Sequence, residues 1–398
     1  MKALIIGGGI AGPAAAMALQ QAGIDATVYE ARPGGADGVG VFLTLGSNGI
    51  DALRTIGADA SATAAGFPTP GINMFSATGK PLGQARTSSP DDGDLVSHTL
   101  RRADLYRAVR DEALGRGIRI EQGKRLTGAQ DTGDGVRAVF ADGGEAYGDL
   151  LIGCDGLRST VRTLIDPAAP APSYAGLIGL GGYTRGVPVD VERGSYTMVF
   201  GKHAFFGYAL APSGEVWWFA NVPRRDEPAR GEVEAAGAEE WRSRLLRLFG
   251  DDAGPAVDLI GTSHQIMPAG PIHAMAHVPT WHSGRMIIIG DAAHAPSPTS
   301  GQGASLSIED GVELARCLRD HSAIGTAFAA YEALRRPRVE RIVKQAARLN
   351  SNKAAGPLAR AFRDLLLPTI LKKTAGSKQM GETYGHHIDW NAPVPAAG

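Results

Sequence analysis

Three clusters of glycine and acid in this chain have the spacing of groups that hold phosphates, sugar hydroxyls or developing anions. The first is Gly7-Gly8-Gly9-Ile10-Ala11-Gly12, a G-x-G-x-x-G run. Gly7 permits a tight turn, Gly9 lets backbone approach a pyrophosphate, and Gly12 lets a helix pack on a strand. Ile10 and Ala11 stand where a helix N-terminus offers free N–H groups and a partial positive charge. Glu30 follows Gly12 by 18 residues, ahead of Ala31 and Arg32, at the end of a second strand. A carboxylate there accepts from both hydroxyls of a ribose. A merely glycine-rich turn would not need that acid, so the run is read as an adenine-dinucleotide cradle.

The second cluster is Gly153-Cys154-Asp155-Gly156, continuing through Ser159 and Arg162 after an apolar strand. Asp155 has two readings of equal weight by itself: a helix cap and a cofactor contact. The third runs from Gly290-Asp291 through His294 to Pro298 and Gly301-Gln302-Gly303-Ala304. Asp291 can accept from a sugar or ribityl hydroxyl. Backbone amides after Gly301 can face a site where negative charge develops. His294 is read as a structural histidine.

Placing these clusters takes alternating strands and helices. Residues 3–6 are all apolar, as expected of a strand buried on both faces of a parallel sheet. An alanine-rich helix and a strand at 26–29 complete a half-unit. A helix at 102–114, strands near 118–121 and 136–140, and buried strands at 149–152 and 286–289 extend the pattern. A helix carrying Ala304, Ile308, Val312, Ala315 and Leu318 follows, apolar at 3–4 spacing. Between these lies a stretch of different character, with a Pro/Ala linker at 167–172, antiparallel strands at 196–200, 205–210 and 216–222, and a helix at 238–249. The fold class is α/β with an α+β insertion: a Rossmann-like nucleotide-binding domain, an inserted mixed β-sheet substrate domain and C-terminal helices. The expected division is 1–70, 98–166 and 282–350 for the first, 71–97 and 167–281 for the second, and 351–398 for the last. Residues 358–371 read as an amphipathic helix, which packs on the inserted domain or a partner, or rests on a membrane surface.

Net charge is −1 with pI about 6.8, which argues against nucleic acid as a partner. Two cysteines, Cys154 and Cys317, match no metal spacing and suit a reducing cytoplasm. No apolar run reaches the roughly 18 residues of a bilayer span, so stable membrane insertion is not expected. A small-molecule enzyme, monomeric or homodimeric, is the reading that remains.

Together the three clusters resemble the group A flavoprotein monooxygenases, the para-hydroxybenzoate hydroxylase superfamily. Asp155-Gly156 with Ser159 and Arg162 resembles that family's DG motif, and Gly290-Asp291 its GD motif. Pro298 to Ala304 with Glu309-Asp310 looks most like the branch of salicylate and urate hydroxylases and zeaxanthin epoxidase, with the tetracycline-inactivating enzymes nearby. The resemblance spans residues 1 to about 336 and is weakest in the inserted domain. It implies tightly but non-covalently bound FAD, NADPH or NADH as transient reductant, and O2 as co-substrate. It also carries Arg102 over as an arginine reaching the flavin cofactor, Leu126 as a backbone contact to adenine, and Thr44 as part of the loop bordering the flavin. The activity implied is insertion of one oxygen atom into an aromatic or polycyclic substrate through a flavin C4a-hydroperoxide. Epoxidation or Baeyer–Villiger oxygenation by the same species is the alternative. A non-oxygenating flavin reductase and a non-catalytic FAD-binding membrane-surface protein stand further off.

Substrate choice falls to the inserted domain. Relatives that act on carboxylates or urate commonly carry an arginine on the strand facing the flavin. Residues 195–223 contain none. Trp217, Phe219 and Asn221 share one face of a strand by alternation, with Trp218 and Ala220 on the other. Phe206, Tyr208, Trp217, Phe219 and Asn221 are the substrate candidates. His203 and Trp217 are the catalytic candidates, His203 as a base that could take a phenol proton. A neutral, fairly apolar ring system is the expected substrate.

Overall fold

In the computed structural model, residues 1–34, 40–88, 95–353, 360, 363–369 and 378–395 are described. Lys2–Ile6 is buried throughout after its first residue, as a central parallel strand must be. It sits within a six-stranded sheet ordered His282–Ser283, Met286–Ile288, Leu150–Gly153, Lys2–Ile6, Asp25–Glu30, Arg119–Gln122. Parallel register pairs Ile6 with Gly153 and Tyr29, and Gly153 with Ile288. Strands from three distant stretches of sequence therefore end side by side at one edge. On this sheet the Ala11–Gln21 and Gly303–Asp320 helices cross closely: a Cβ on Gly311 would stand 2.8 Å from Ala15 Cα.

Phe42–Leu45, His98–Arg101 and Gly66–Pro68 form a small three-stranded sheet, and residues 126–148 form a three-stranded meander. A seven-stranded sheet is ordered Gln265–Ala274, Ser173–Thr184, Val216–Pro223, Phe205–Leu210, Tyr196–Phe200, Gly71–Ser76, Pro81–Arg86. One of its faces, with Phe206, Tyr208, Trp218 and Ala220, packs under Trp241, Leu245 and Phe249 of the Gly237–Phe249 helix and Leu259 and Ile260 of Ala256–Thr262. The opposite face, with Tyr196 and Trp217, meets Phe42 and Phe67 of the small sheet.

The sequence reading does not find the longest strand, Ser173–Thr184, because its four glycines after Tyr174 blunt any apolar alternation. Two of them are required by close approach. A Cβ on Gly181 would lie 2.5 Å from Val41 Cγ2, and one on Gly182 would lie 2.8 Å from the Trp218 ring.

Behind the sheet edge lies a buried ionic network. Arg335, 1% exposed, bridges Glu309 and Asp310, each fully buried. Burial alone would raise both carboxyls, but Arg335 and Arg338 hold Glu309 well below the usual range, and His294 and Arg335 lower Asp310. Arg338 also donates to the Glu382 and Thr383 carbonyls. That clamp begins a C-terminal strap, which continues through Ser47 to the Tyr384 carbonyl, Thr55 to the Ile388 carbonyl and Arg319 to the Trp390 carbonyl. Of the expected 358–371 helix, 360 and 363–369 are described and helical, the rest lying outside the described residues, and Arg363 stacks 4.6 Å from the Phe200 ring centroid.

Arg335→Met leaves two buried carboxylates short of a cation and is expected to cost about 3–5 kcal/mol, read as a fall in the denaturation midpoint. The strap has its own pH dependence. Burial pushes His386 down to about 4, with Arg338, Arg335 and His387 adding to it against the attraction of Glu309. The unfolded imidazole titrates near 6.5 and binds more protons through this interval, so the strap is held above about 6.5 and loses stability as pH falls toward 4. Hydrogen exchange at residues 381–395 is expected to quicken over that window, and His386→Phe to flatten the change.

Candidate active site

The shared edge of the parallel strands brings the three glycine–acid clusters together. Gly7 adopts φ +109°, donates to the Tyr29 carbonyl at 2.8 Å, and lies so near the second cluster that a Cβ would stand 2.3 Å from Cys154 O. Gly12 faces the Gly7 carbonyl, 2.0 Å from where its own Cβ would be. Around Gly9 a Cβ would meet nothing within 4 Å. The loop is thus walled at its first and last glycines and open at the middle one, above the N-terminus that begins with Ile10 and Ala11. Glu30 closes one side: Oε2 accepts from Gly8 N at 2.7 Å and Oε1 from Arg32 N at 2.9 Å. Each oxygen keeps a lone pair. Ala31 continues the loop, and the Arg32 side chain is exposed.

Asp155 reaches its own helix. Its carboxylate accepts from Ser159 Oγ, from Thr160 N at 2.7 Å and from Val161 N at 3.1 Å. The side chain thus caps the helix that follows, supplying acceptors to N–H groups of its first turn. The segment still belongs to the site's frame, because Arg162 donates to the Ala292 carbonyl of the third cluster at 2.9 Å and to the Leu157 carbonyl at 2.7 Å.

In the third cluster Gly290 (φ +59°) donates to Asp310 Oδ2 at 2.8 Å. His294 shares that oxygen at 2.6 Å and is buried, a structural role as expected. Asp291 is half-buried. Burial raises its carboxyl, while His294 and Arg102 pull the other way, so Arg102 and Asp291 come into electrostatic reach. A Cβ on Gly303 would stand 3.9 Å from Asp291 Oδ1, which sets that carboxylate beside the N-terminus of the Gly303–Asp320 helix and Ala304. Pro298 and Gly301 (φ +63°) make the stiff turn leading there.

Other candidates offer backbone alone. The Gln302 side chain turns inward to accept from Asn48 Nδ2 at 3.0 Å. Thr44 engages its hydroxyl with Thr99 at 2.8 Å. Leu126 buries its side chain at the start of the Leu126–Asp131 strand, beside Lys124, whose N–H donates to the Glu30 carbonyl at 2.8 Å.

On the seven-stranded sheet the expected split of faces holds, with two corrections. Phe206 and Tyr208 lie on the helix-covered face, because they alternate with the residues that face the small sheet. His203 sits exposed on the turn between two strands, near Glu240, Arg244 and Arg247, where it meets no candidate residue. Trp217 is wedged between the two sheets. It packs on Phe67 (5.3 Å between centroids), Phe42 and Tyr183, and its indole N–H donates to Glu215 at 2.8 Å. Phe219 and Asn221 share its face.

Sequence reasoning misses two arginines that reach this face from elsewhere. Arg101 stacks 4.5 Å over Tyr183 and 5.4 Å over Trp217, and is ion-paired to Glu215. Arg363 covers Phe200 and is ion-paired to Asp364. Neither lies within the strands of the seven-stranded sheet, so the pattern of those strands could not point to them.

The family profile described as FAD binding domain matches residues 1–346. The chain is 33% identical over 341 residues to the aurachin C monooxygenase/isomerase of Stigmatella aurantiaca, spanning 84% of this chain and 85% of that protein. It is 32% identical over 363 residues to an FAD-dependent urate hydroxylase of Klebsiella pneumoniae, spanning 87% and 88%. The crystal structure of Klebsiella pneumoniae HpxO complexed with FAD and uric acid superposes with a TM-score of 0.84 at 26% identity, over 97% of this chain and 98% of that one.

The open ground above Gly9 gives a direct test. Gly9→Ala adds a Cβ that meets no protein atom within 4 Å and is expected to leave far-UV circular dichroism and melting nearly unchanged while flavin content falls at least tenfold. Gly12→Val, driven into the Gly7 carbonyl, is expected to lose both flavin and stability.

Proposed function

The chain belongs to the FAD binding domain family and is an FAD-dependent monooxygenase, and from that premise we propose which residues hold the cofactor and what class of substrate it oxidises. FAD, when bound, accepts a hydride from NAD(P)H and activates O2, so that substrate–H, O2, NAD(P)H and H+ give substrate–OH, NAD(P)+ and water. The chain does the holding. Backbone N–H groups around Gly9 and the first turn of Ala11–Gln21 take the pyrophosphate. Glu30 takes ribose hydroxyls with its remaining lone pairs. Asp291, with Arg102 beside it, takes the ribityl chain, and the N-terminus of Gly303–Asp320 stabilises negative charge on the ring. The observation that carries this reading is the glycine loop walled at Gly7 and Gly12 and open at Gly9.

We assign residues 1–70, 98–166 and 282–350 to the cofactor domain and 71–97 with 167–281 to the substrate domain. Supporting this, Gly71–Ser76 and Pro81–Arg86 join the seven-stranded sheet despite their distance in sequence. No helix of the described residues is long and apolar enough to cross a membrane, and two buried free cysteines favour a cytoplasmic setting.

The substrate is a neutral, largely apolar ring system. The face built by Met198, Phe205, Trp217 and Phe219 carries no arginine of its own, and the arginines beside it are engaged, Arg101 and Arg185 by a shared Glu215 and Arg363 by Asp364. A carboxylate entering there would lose its hydration without gaining an uncommitted cation. In steady-state assays, neutral bicyclic aromatics are expected to stimulate NAD(P)H oxidation with coupled product, and salicylate and urate to leave the basal rate unchanged. Strong, tightly coupled turnover of salicylate would overturn the assignment.

A further inference from the structure

Arg101 and Arg102 are consecutive, yet their side chains serve different sides of the molecule. Arg101 ends the His98–Arg101 strand and Arg102 begins the Arg102–Gly115 helix. Arg102 packs toward the cofactor loops: a Cβ on Gly40 would stand 2.8 Å from its Cδ, and it comes into electrostatic reach of Asp291. Arg101 turns to the seven-stranded sheet. Its guanidinium fills the corner between Tyr183 and Trp217, whose rings stand at 89° with centroids 6.0 Å apart, and lies 4.5 Å from the first and 5.4 Å from the second. Glu215 holds it there by an ion pair, while also accepting from the Trp217 indole and pairing with Arg185. Backbone ties the same joint. The Val41 carbonyl accepts both from Arg102 N at 3.1 Å and from the Tyr183 hydroxyl at 2.9 Å.

We propose that Arg101 is a positioning residue for oxygen transfer: seated between Tyr183 and Trp217, it registers the aromatic face of the seven-stranded sheet against Arg102, the neighbour that reaches the cofactor. This rests on the reading of Arg102 and Asp291 as cofactor contacts and adds how the substrate side is aligned to them. Stability is the smaller part of what Arg101 contributes. Its side chain is 38% exposed, and an ion pair so open to water adds little to folding. Geometry is the larger part. A planar cation set against two perpendicular rings and a carboxylate has one placement, which the point charge of a lysine would not impose. Transfer of an oxygen atom between two held groups depends on that placement, because small misplacements cost large factors in rate. Slack at the joint favours the competing outcome, in which NAD(P)H, O2 and H+ give NAD(P)+ and hydrogen peroxide and the substrate leaves unchanged.

The test compares FAD-loaded wild type with Arg101→Met, Arg101→Lys and Glu215→Gln. Far-UV circular dichroism and flavin content are expected to stay unchanged in all three. The visible circular-dichroism band of the bound flavin is expected to change in Arg101→Met and to change less in Arg101→Lys, although Arg101 faces the other sheet. With 1-naphthol as the neutral bicycle, peroxide released per NAD(P)H oxidised is expected to rise at least about threefold in Arg101→Met. Arg101→Lys and Glu215→Gln are expected to fall between that variant and wild type. The Arg101→Met/Glu215→Gln double variant is expected to release no more than Arg101→Met alone, because the two residues act as one unit. A flavin band or a peroxide fraction unmoved in Arg101→Met, whatever its melting temperature, would mark a merely structural pair and overturn the role. Wild type that binds no flavin would overturn the cofactor reading beneath it instead. If wild type does not turn over 1-naphthol, the neutral-ring reading falls and the flavin band alone decides on Arg101.

Discussion

Two adjacent carboxylates sealed from water must be matched by cations, and in this chain that constraint reaches nearly every part of the cofactor site. Glu309 and Asp310 stand in the middle of a buried helix, where two uncompensated charges would be untenable. Arg335 compensates both, and the remaining lone pairs are put to use. Asp310 receives Gly290 N and His294, which sets the turn that presents Asp291. Glu309 receives Asn48, which in turn holds Gln302 and so the approach to the Gly303 helix. Arg338 extends the same set to the C-terminal strap. Loops that appear separate in sequence are thus referred to one buried anchor, and a shift in one is resisted by the others.

The second constraint is how closely backbones approach. Parallel register alone would bring the ends of Lys2–Ile6, Leu150–Gly153 and Met286–Ile288 to a common edge. It would not leave room for a pyrophosphate. That comes from glycine at the contacts: Gly7 against Cys154 and Gly12 against Gly7 let the walls close up, so the open space is left at Gly9. The same device recurs in the inserted sheet, where Gly181 admits Val41 and Gly207 admits the Phe219 ring. Glycine here shapes surfaces as much as it bends chain.

What could be read from the sequence divides along the same line. Strands buried on both faces, such as 3–6 and 150–152, announce themselves by composition, and the glycine–acid clusters by spacing, because local backbone demands dictate both. The site's frame was therefore legible. Ser173–Thr184 was not, because its glycines answer to Val41 and Trp218, far away in sequence. Phe206 and Tyr208 were placed with the substrate face because a hairpin pattern gives two faces without saying which one a helix covers. Asp155 was open between cap and contact, and the structure shows the cap, because N–H groups of Thr160 and Val161 need an acceptor. His203 was chosen for its chemistry alone, and chemistry without position is a weak guide.

The arginines show the same limit from the other side. An arginine-free strand is a fact of sequence, but the charge at a surface is a fact of assembly. Arg101 arrives from the small sheet and Arg363 from the C-terminal segment, so the strand pattern by itself understated the positive charge near the aromatic face. Those arginines are nonetheless engaged: Asp364 accompanies Arg363, and Glu215 accepts from Arg101, Arg185 and Trp217. Glu215 sits below the ordinary carboxylate range despite the opposing effect of burial, because Trp217, Arg185 and Arg101 all donate to it. It stays ionised at neutral pH and keeps Arg101 occupied in stacking on Tyr183 and Trp217. What the pair provides at the joint between the two sheets is shape, and that leaves recognition of a substrate chiefly to apolar contact.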